Sequence, residues 1–104
     1  MSKIQIDLPK EKIAEFCRKW KVKEFAVFGS VLRIDFRPDS DIDIIVDFEP
    51  NARISLFDLV SMTDELRMIF RRNVDLLTRG GVEQSRNYIR RKEILSSMQV
   101  IHAA

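Results

Sequence analysis

The chain has 104 residues, of which 45% are hydrophobic and 33% are charged, and its formal net charge is +2. This length predicts a single domain over residues 1–104, with little chain left for a second. No apolar run approaches the roughly 20 residues of a membrane-spanning helix, and so small a net charge gives no reason to expect direct nucleic-acid binding. The N-terminus lacks the apolar stretch of a signal peptide, so the single cysteine, Cys17, is predicted to be a reduced, buried thiol in a cytoplasmic protein.

The first predicted elements are a helix and a strand. The helix begins near Leu8-Pro9, since proline is tolerated in a first turn, and Asp7 is a candidate cap. A buried strand over residues 24–28 follows and ends at Gly29-Ser30. The helix has one apolar face with i, i+3, i+4 and i+7 spacing, formed by Ile13, Phe16, Cys17 and Trp20.

The second strand is predicted over residues 41–48, where side chains alternate between two faces. The face predicted to lie in the core is that of Ile42, Ile44, Val46 and Phe48. A helix capped by Ser55 follows, and then a third strand over residues 73–78 that Gly80-Gly81 ends. A last helix runs from about Val82 into the 90s. The order predicts an α/β (α+β) fold, a small mixed sheet flanked by helices, in which the helix between strands two and three is long enough for a crossover.

Three aspartates are the candidate chemical groups. Asp41 and Asp43 are spaced i and i+2 on a strand, so they share a face and repel each other unless a cation lies between them. Asp75 lies within the third strand, and it would complete a three-carboxylate cluster if strands two and three are neighbours. Carboxylate oxygens suit hard cations, and paired Mg²⁺ ions are the natural occupants. Asp41 alone could simply terminate a loop.

The Gly29-Ser30 turn is a candidate phosphate contact. A Gly-Ser turn after an apolar strand can bring backbone N–H groups and a hydroxyl to a triphosphate. Ser30 could equally be an ordinary turn residue. The Gly29-Ser30 pair indicates a phosphate contact only in combination with the nearby aspartates.

Basic residues are concentrated in the C-terminal part of the chain. They form either an ordinary solvated face or a surface for phosphates or an acidic partner. The residues are Arg67, Arg71, Arg72, Arg79, Arg86, Arg90, Arg91 and Lys92.

The segment from Phe28 to Phe48 resembles the minimal nucleotidyltransferases of the DNA polymerase beta superfamily. It has their pattern of Gly-Ser, ten residues and Asp-x-Asp, and Val-Asp-Leu at 74–76 looks like their third-carboxylate strand. The chain departs from the family at Val31, Ile34 and Phe36, where Arg, Gly and Ala are frequent. The shared loop residues are Arg33, Asp35, Arg37, Pro38, Asp39 and Ser40.

The resemblance implies a nucleotidyltransferase that moves AMP from ATP to an acceptor hydroxyl. It gives Asp41, Asp43 and Asp75 catalytic roles as ligands of two Mg²⁺ ions. Stand-alone members of this size resemble the antitoxins of HEPN/MNT toxin-antitoxin pairs, which implies a HEPN-domain ribonuclease toxin as partner in a hetero-oligomer and one of its tyrosines as acceptor. The nucleotide contacts implied are Gly29, Ser30, Arg33 and Ser40.

Two alternatives to protein adenylylation stay open. The departures at Val31, Ile34 and Phe36 are compatible with an antitoxin that masks its toxin by binding alone. Transfer to a small molecule or an RNA end is the other, and so short a chain would need a partner subunit to hold such an acceptor.

Overall fold

A computed structural model describes residues 9–29 and 41–103 of the chain. The helices are α1 (Lys10–Trp20), α2 (Leu56–Phe70), α3 (Arg79–Glu83) and α4 (Tyr88–Ser97). The strands are β1 (Val22–Phe28), β2 (Ile42–Phe48), β3 (Val74–Thr78) and β4 (Gln99–Ala103).

The strands form one mixed sheet in the order β3-β2-β1-β4. β1 pairs antiparallel with both β2 and β4, while β2 and β3 run parallel. Parallel strands need a crossover, and α2 supplies it, as the sequence predicts. The predicted α/β class, a small mixed sheet flanked by helices, is confirmed.

The larger core lies where α1 and α2 pack on one face of the sheet. The predicted inward side of β2 is buried there, and Phe16 meets Phe25 edge to face with ring centroids 6.0 Å apart. The buried residues of this core are Ile13, Phe16, Cys17, Val22, Phe25, Val27, Ile42, Ile44, Val46, Met62 and Leu66.

A smaller core covers the other face, where α3 and α4 pack. Val82 from α3 and Ile94 from α4 are buried against Ala26, Phe28 and Ile45. The side of β2 that carries the aspartates is therefore apolar farther along the strand, and Asp43 lies on the same side as the buried Ile45. Both faces of the sheet are thus partly covered.

The C-terminal region differs from the sequence-based prediction in three ways. Gly80 and Gly81 lie inside α3 instead of ending the strand, and Thr78 caps that helix by accepting a hydrogen bond from the Gly81 amide at 3.1 Å. The last long helix begins at Tyr88 instead of Val82, because Asn87 caps it through the Arg90 amide at 3.1 Å. The third difference is β4, which the sequence analysis did not predict.

The first helix begins at Lys10, next to the predicted Pro9, which is its N-cap without a side-chain hydrogen bond. The candidate cap Asp7 lies outside the described residues. At the other end, Lys21 turns the chain into β1 with a left-handed conformation at φ 56°. None of the helices within residues 9–29 and 41–103 is both long enough and apolar enough to cross a membrane.

Candidate active site

Asp43 and Asp75 are direct partners across the parallel pair of β2 and β3. Their Cα atoms are paired in register, between the pairs Ile42–Val74 and Ile44–Leu76. Side chains of paired residues on neighbouring strands point to the same face of a sheet. Strands two and three are therefore neighbours, which was the condition for a shared carboxylate cluster, and two carboxylates lie side by side.

The register of this pair is fixed by contacts at the beginning of both strands. The Ile42 amide donates to the Asn73 carbonyl at 3.0 Å. Arg67, in the last turn of α2, donates through Nη2 to the Asn73 side-chain oxygen at 3.3 Å. Since a slip by one residue would send Asp75 to the opposite face, these contacts maintain the carboxylate pair.

Gly29 brings the backbone at the end of β1 against the same carboxylate. Phe28 is paired with Asp43 across the antiparallel strands, and Gly29 follows it with φ at +75°. A Cβ atom at position 29 would collide with Oδ2 of Asp43. The chain can therefore approach Asp43 this closely only with glycine, while the phosphate contact of Gly29 stays a prediction.

The three aspartates differ in their surroundings. Asp43 is half-buried, whereas Asp75 is exposed, and Asp41 is exposed just before β2. Within residues 9–29 and 41–103, no three acidic, histidine or cysteine side chains converge as a metal-binding group. The fold thus provides an in-register pair, Asp43 and Asp75, with Asp41 at its margin, while the role of all three as metal ligands stays a prediction.

Several predicted contacts fall in the segment between β1 and β2. Ser30, Arg33 and Ser40 lie outside the described residues, so their nucleotide contacts stay predictions. The same segment contains Val31, Ile34 and Phe36, the positions at which the chain departs from the family pattern.

A pocket of about 510 Å³ lies beside β3, and the sequence analysis did not predict it. β3 is a terminal strand of the sheet, and the pocket draws on its second half together with parts of α2, α3 and α4. The only signal in the sequence was the basic cluster, two of whose members line it. The lining residues are Leu59, Leu76, Leu77, Thr78, Gly81, Val82, Ser85, Asn87, Arg90, Arg91 and Ile94.

Cys17 has a structural position in the larger core. It is a free, buried thiol, as predicted, and burial raises its pKa from 9.0 to about 12. The thiol is therefore neutral at physiological pH and is excluded as a nucleophile.

The paired carboxylates beside a glycine turn, on a mixed sheet with a crossover helix, define a nucleotidyltransferase domain. A family model described as nucleotidyltransferase domain matches residues 10–100, and the chain belongs to this family.

Its relatives include an inferred protein adenylyltransferase of Methanocaldococcus jannaschii, 39% identical over 83 residues that cover 79% of this chain and 81% of that protein. The protein adenylyltransferase MntA of Thermococcus cleftensis is 33% identical over 69 residues, which cover 66% of this chain and 68% of MntA.

Solved structures share the fold. An inferred minimal nucleotidyltransferase matches with a TM-score of 0.66 and 27% identity, over 86% of both chains. A toxin-antitoxin crystal structure with AMP-PNP matches with a TM-score of 0.68 and 19% identity, over 93% of this chain and 75% of that one. A complex of the tri-AMPylated HEPN toxin of Shewanella oneidensis with its MNT antitoxin matches at 0.61 and 16%, over 91% of this chain and 70% of that one.

Proposed function

We propose that this chain is a Mg²⁺-dependent adenylyltransferase that transfers AMP from ATP to a tyrosine hydroxyl of a HEPN-domain toxin and so acts as its antitoxin, in the cytoplasm. The observation that carries the proposal is the in-register pairing of Asp43 with Asp75 beside Gly29. The adenylyltransferase names among the relatives and the toxin-antitoxin complexes among the structural neighbours support the choice of donor and acceptor.

The donor set suits a hard divalent cation. Asp43 and Asp75 offer carboxylate oxygens from two adjacent strands, and oxygen is the ligand atom that Mg²⁺ prefers. Asp41 lies two residues before Asp43 and would add a third carboxylate from the margin of the site. When bound, Mg²⁺ neutralises triphosphate charge and lowers the pKa of a coordinated hydroxyl.

The chain itself positions the substrates in this scheme. The backbone at Gly29, with Ser30 after it, contacts the outer phosphates. The acceptor oxygen then bonds to the α-phosphorus as the bond to the bridging oxygen of the β-phosphate breaks. Pyrophosphate leaves with that electron pair, and the hydroxyl proton passes to solvent. Asp43 and Asp75 would hold the cation, and through it the reacting groups, at one end of the sheet, which would lower the entropic part of the barrier.

The test is transfer of label from α-labelled ATP, with Mg²⁺, to the HEPN-domain protein encoded beside this chain. We expect AMP on a tyrosine of that protein, and we expect Asp43→Asn to reduce transfer by roughly a hundredfold or more. Asp47→Asn is the matched control, since Asp47 lies on the same strand and face as Asp43 but four residues farther along.

Two results would contradict an antitoxin that acts by adenylyl transfer. Absence of label on the folded partner with the unchanged chain would contradict adenylylation. Toxin neutralisation that is undiminished in the Asp41→Asn, Asp43→Asn double variant would instead identify an antitoxin that acts by binding alone.

A further inference from the structure

We propose that the pocket beside β3 binds a segment of the acceptor protein in which an apolar side chain lies next to a carboxylate. This inference rests on the proposed function, because it assigns the docking site of the protein that would receive AMP. It concerns a different part of the molecule from the paired aspartates.

The inner walls of the pocket are apolar. Leu59 comes from α2, Leu76 and Leu77 from β3, and Val82 and Ile94 from α3 and α4. Its volume of about 510 Å³ lies in the range of pockets that bind ligands. An aliphatic or aromatic side chain would be desolvated on entering it, which favours binding.

The polar rim of the pocket is rich in hydrogen-bond donors. The side-chain oxygens of Thr78, Ser85 and Asn87 already accept bonds from backbone amides, at 3.1, 3.2 and 3.1 Å. The hydroxyl protons and the Asn87 amide protons remain for a ligand. A rim of this kind selects a group that only accepts hydrogen bonds, which a carboxylate does.

Arg90 supplies the positive charge. Its neighbour Arg91 is held in place, since it donates to the carbonyls of Glu83 at 3.1 Å and Ser85 at 3.3 Å and lies over the Tyr88 ring. Arg90 also lines the pocket, and within residues 9–29 and 41–103 its guanidinium, which has five N–H donors, forms no hydrogen bond or ion pair. A carboxylate is therefore complementary to the rim in both charge and hydrogen bonding.

The position of the pocket suits an acceptor protein. Leu77 lines it and follows Asp75 by two residues on the same face of β3, a distance of roughly 7 Å along a strand. A segment seated in the pocket could therefore extend toward the paired aspartates with its hydroxyl-bearing residue. Docking next to the site of chemistry is how an enzyme raises the effective concentration of its acceptor.

Exposed apolar side chains on the two helices beside the pocket favour a protein over a small molecule. Leu56 and Val60 of α2 are 80% and 61% exposed, and Tyr88 and Ile89 of α4 are 59% and 71% exposed. Large exposed apolar side chains near a pocket are typical of protein interaction sites.

The experiment measures the dissociation constant between this chain and its HEPN-domain partner by calorimetry, without nucleotide. We expect Arg90→Glu to weaken binding roughly tenfold or more, and Arg90→Ala to weaken it less. Lys92→Glu is the matched control, because it makes the same change in charge on α4 two residues away, about 200° around the helix. AMP-PNP binding should be unchanged in all three variants.

Equal effects of Arg90→Glu and Lys92→Glu on partner binding would overturn the inference, as would an Arg90→Glu variant that loses AMP-PNP and keeps its partner. Absence of binding by the unchanged chain would contradict both this inference and the proposed function. If the partner binds through Arg90 but receives no AMP, the docking site stands and the adenylyl-transfer proposal fails. Thermal unfolding of each variant checks that the fold is intact.

Discussion

Gly29 is constrained both by its backbone conformation and by its closeness to Asp43. Its φ of +75° lies in a region that residues with a side chain rarely adopt, and a Cβ atom there would meet the carboxylate of Asp43. Either constraint alone would favour glycine. Together they explain why the strand can end so close to the Asp43 carboxylate.

We predict that Gly29→Ala lowers the free energy of unfolding by about 2 kcal/mol, from the left-handed conformation and the collision with Asp43. Urea denaturation measures the change. Gly80→Ala is the control, because nothing lies within 4 Å of a Cβ at position 80 and alanine favours the helix that contains it. Equal losses in the two variants would show that the contact with Asp43 has no energetic role.

Cys17 gives a prediction about pH. Its pKa is raised to about 12 in the folded chain from 9.0, so the folded state keeps the thiol proton more tightly than the unfolded state. The stability from burying the neutral thiol is therefore complete below pH 9 and is lost as the pH rises toward 12. At pH 8 a thiol reagent such as DTNB should react slowly with the native chain and rapidly in urea. Rapid reaction of the native chain would contradict the burial.

At the scale of elements, α2 shows how local sequence defines a boundary. Ser55 accepts a hydrogen bond from the Asp58 amide at 3.2 Å, and the Asp58 carboxylate accepts one from the Ser55 amide at 2.9 Å. This reciprocal pair satisfies two amides that the first helical turn leaves without partners. The predicted cap is confirmed, and the crossover that makes β2 and β3 parallel begins there.

We predict that Ser55→Ala destabilises the protein by about 1 kcal/mol, because it removes the cap of α2. Ser61→Ala, at an exposed position inside the same helix, should leave stability unchanged or raise it slightly, since alanine is the better helix former. Circular dichroism during thermal unfolding compares the two. A similar loss in both variants would mean that the capping box is not what stabilises this end of the helix.

Elements with a strong periodic pattern were predictable, whereas those that depend on tertiary contacts were not. α1, α2 and the first three strands carry repeated apolar positions that identify them. β4, over Gln99–Ala103, is five residues long and is a strand because it pairs with β1, a contact far away in sequence. Gly80 and Gly81 favour a chain break locally, yet Thr78 caps a short helix across them.

The site residues that lie on predictable strands could themselves be predicted. Asp43 and Asp75 could be placed together because a crossover helix between two strands implies parallel neighbours. The pocket beside β3 could not be predicted, because it is formed by four elements whose packing no local pattern specifies. The roles of Arg33 and Ser40 depend on the family resemblance alone, and that of Ser30 on the resemblance together with the Gly-Ser turn.

At the scale of the whole molecule, the sheet brings together residues from distant parts of the sequence. Gly29, Asp43 and Asp75 come from three different strands or their ends, and the order β3-β2-β1-β4 makes those strands consecutive neighbours. The proposed chemistry therefore depends on strand register as much as on any single side chain. α3 and α4 cover the same face of the sheet farther along, where they form the second core and the pocket.

In the proposed function, Asp43 and Asp75 act together as ligands of a divalent cation. The direct measurement is the dissociation constant of Mn²⁺, as a spectroscopic substitute for Mg²⁺, in the presence of AMP-PNP. We expect Asp43→Asn and Asp75→Asn each to weaken Mn²⁺ binding by roughly tenfold or more, and Asp47→Asn to leave it unchanged. Equal Mn²⁺ affinity in the unchanged chain and all three variants would contradict a shared role of Asp43 and Asp75 as cation ligands.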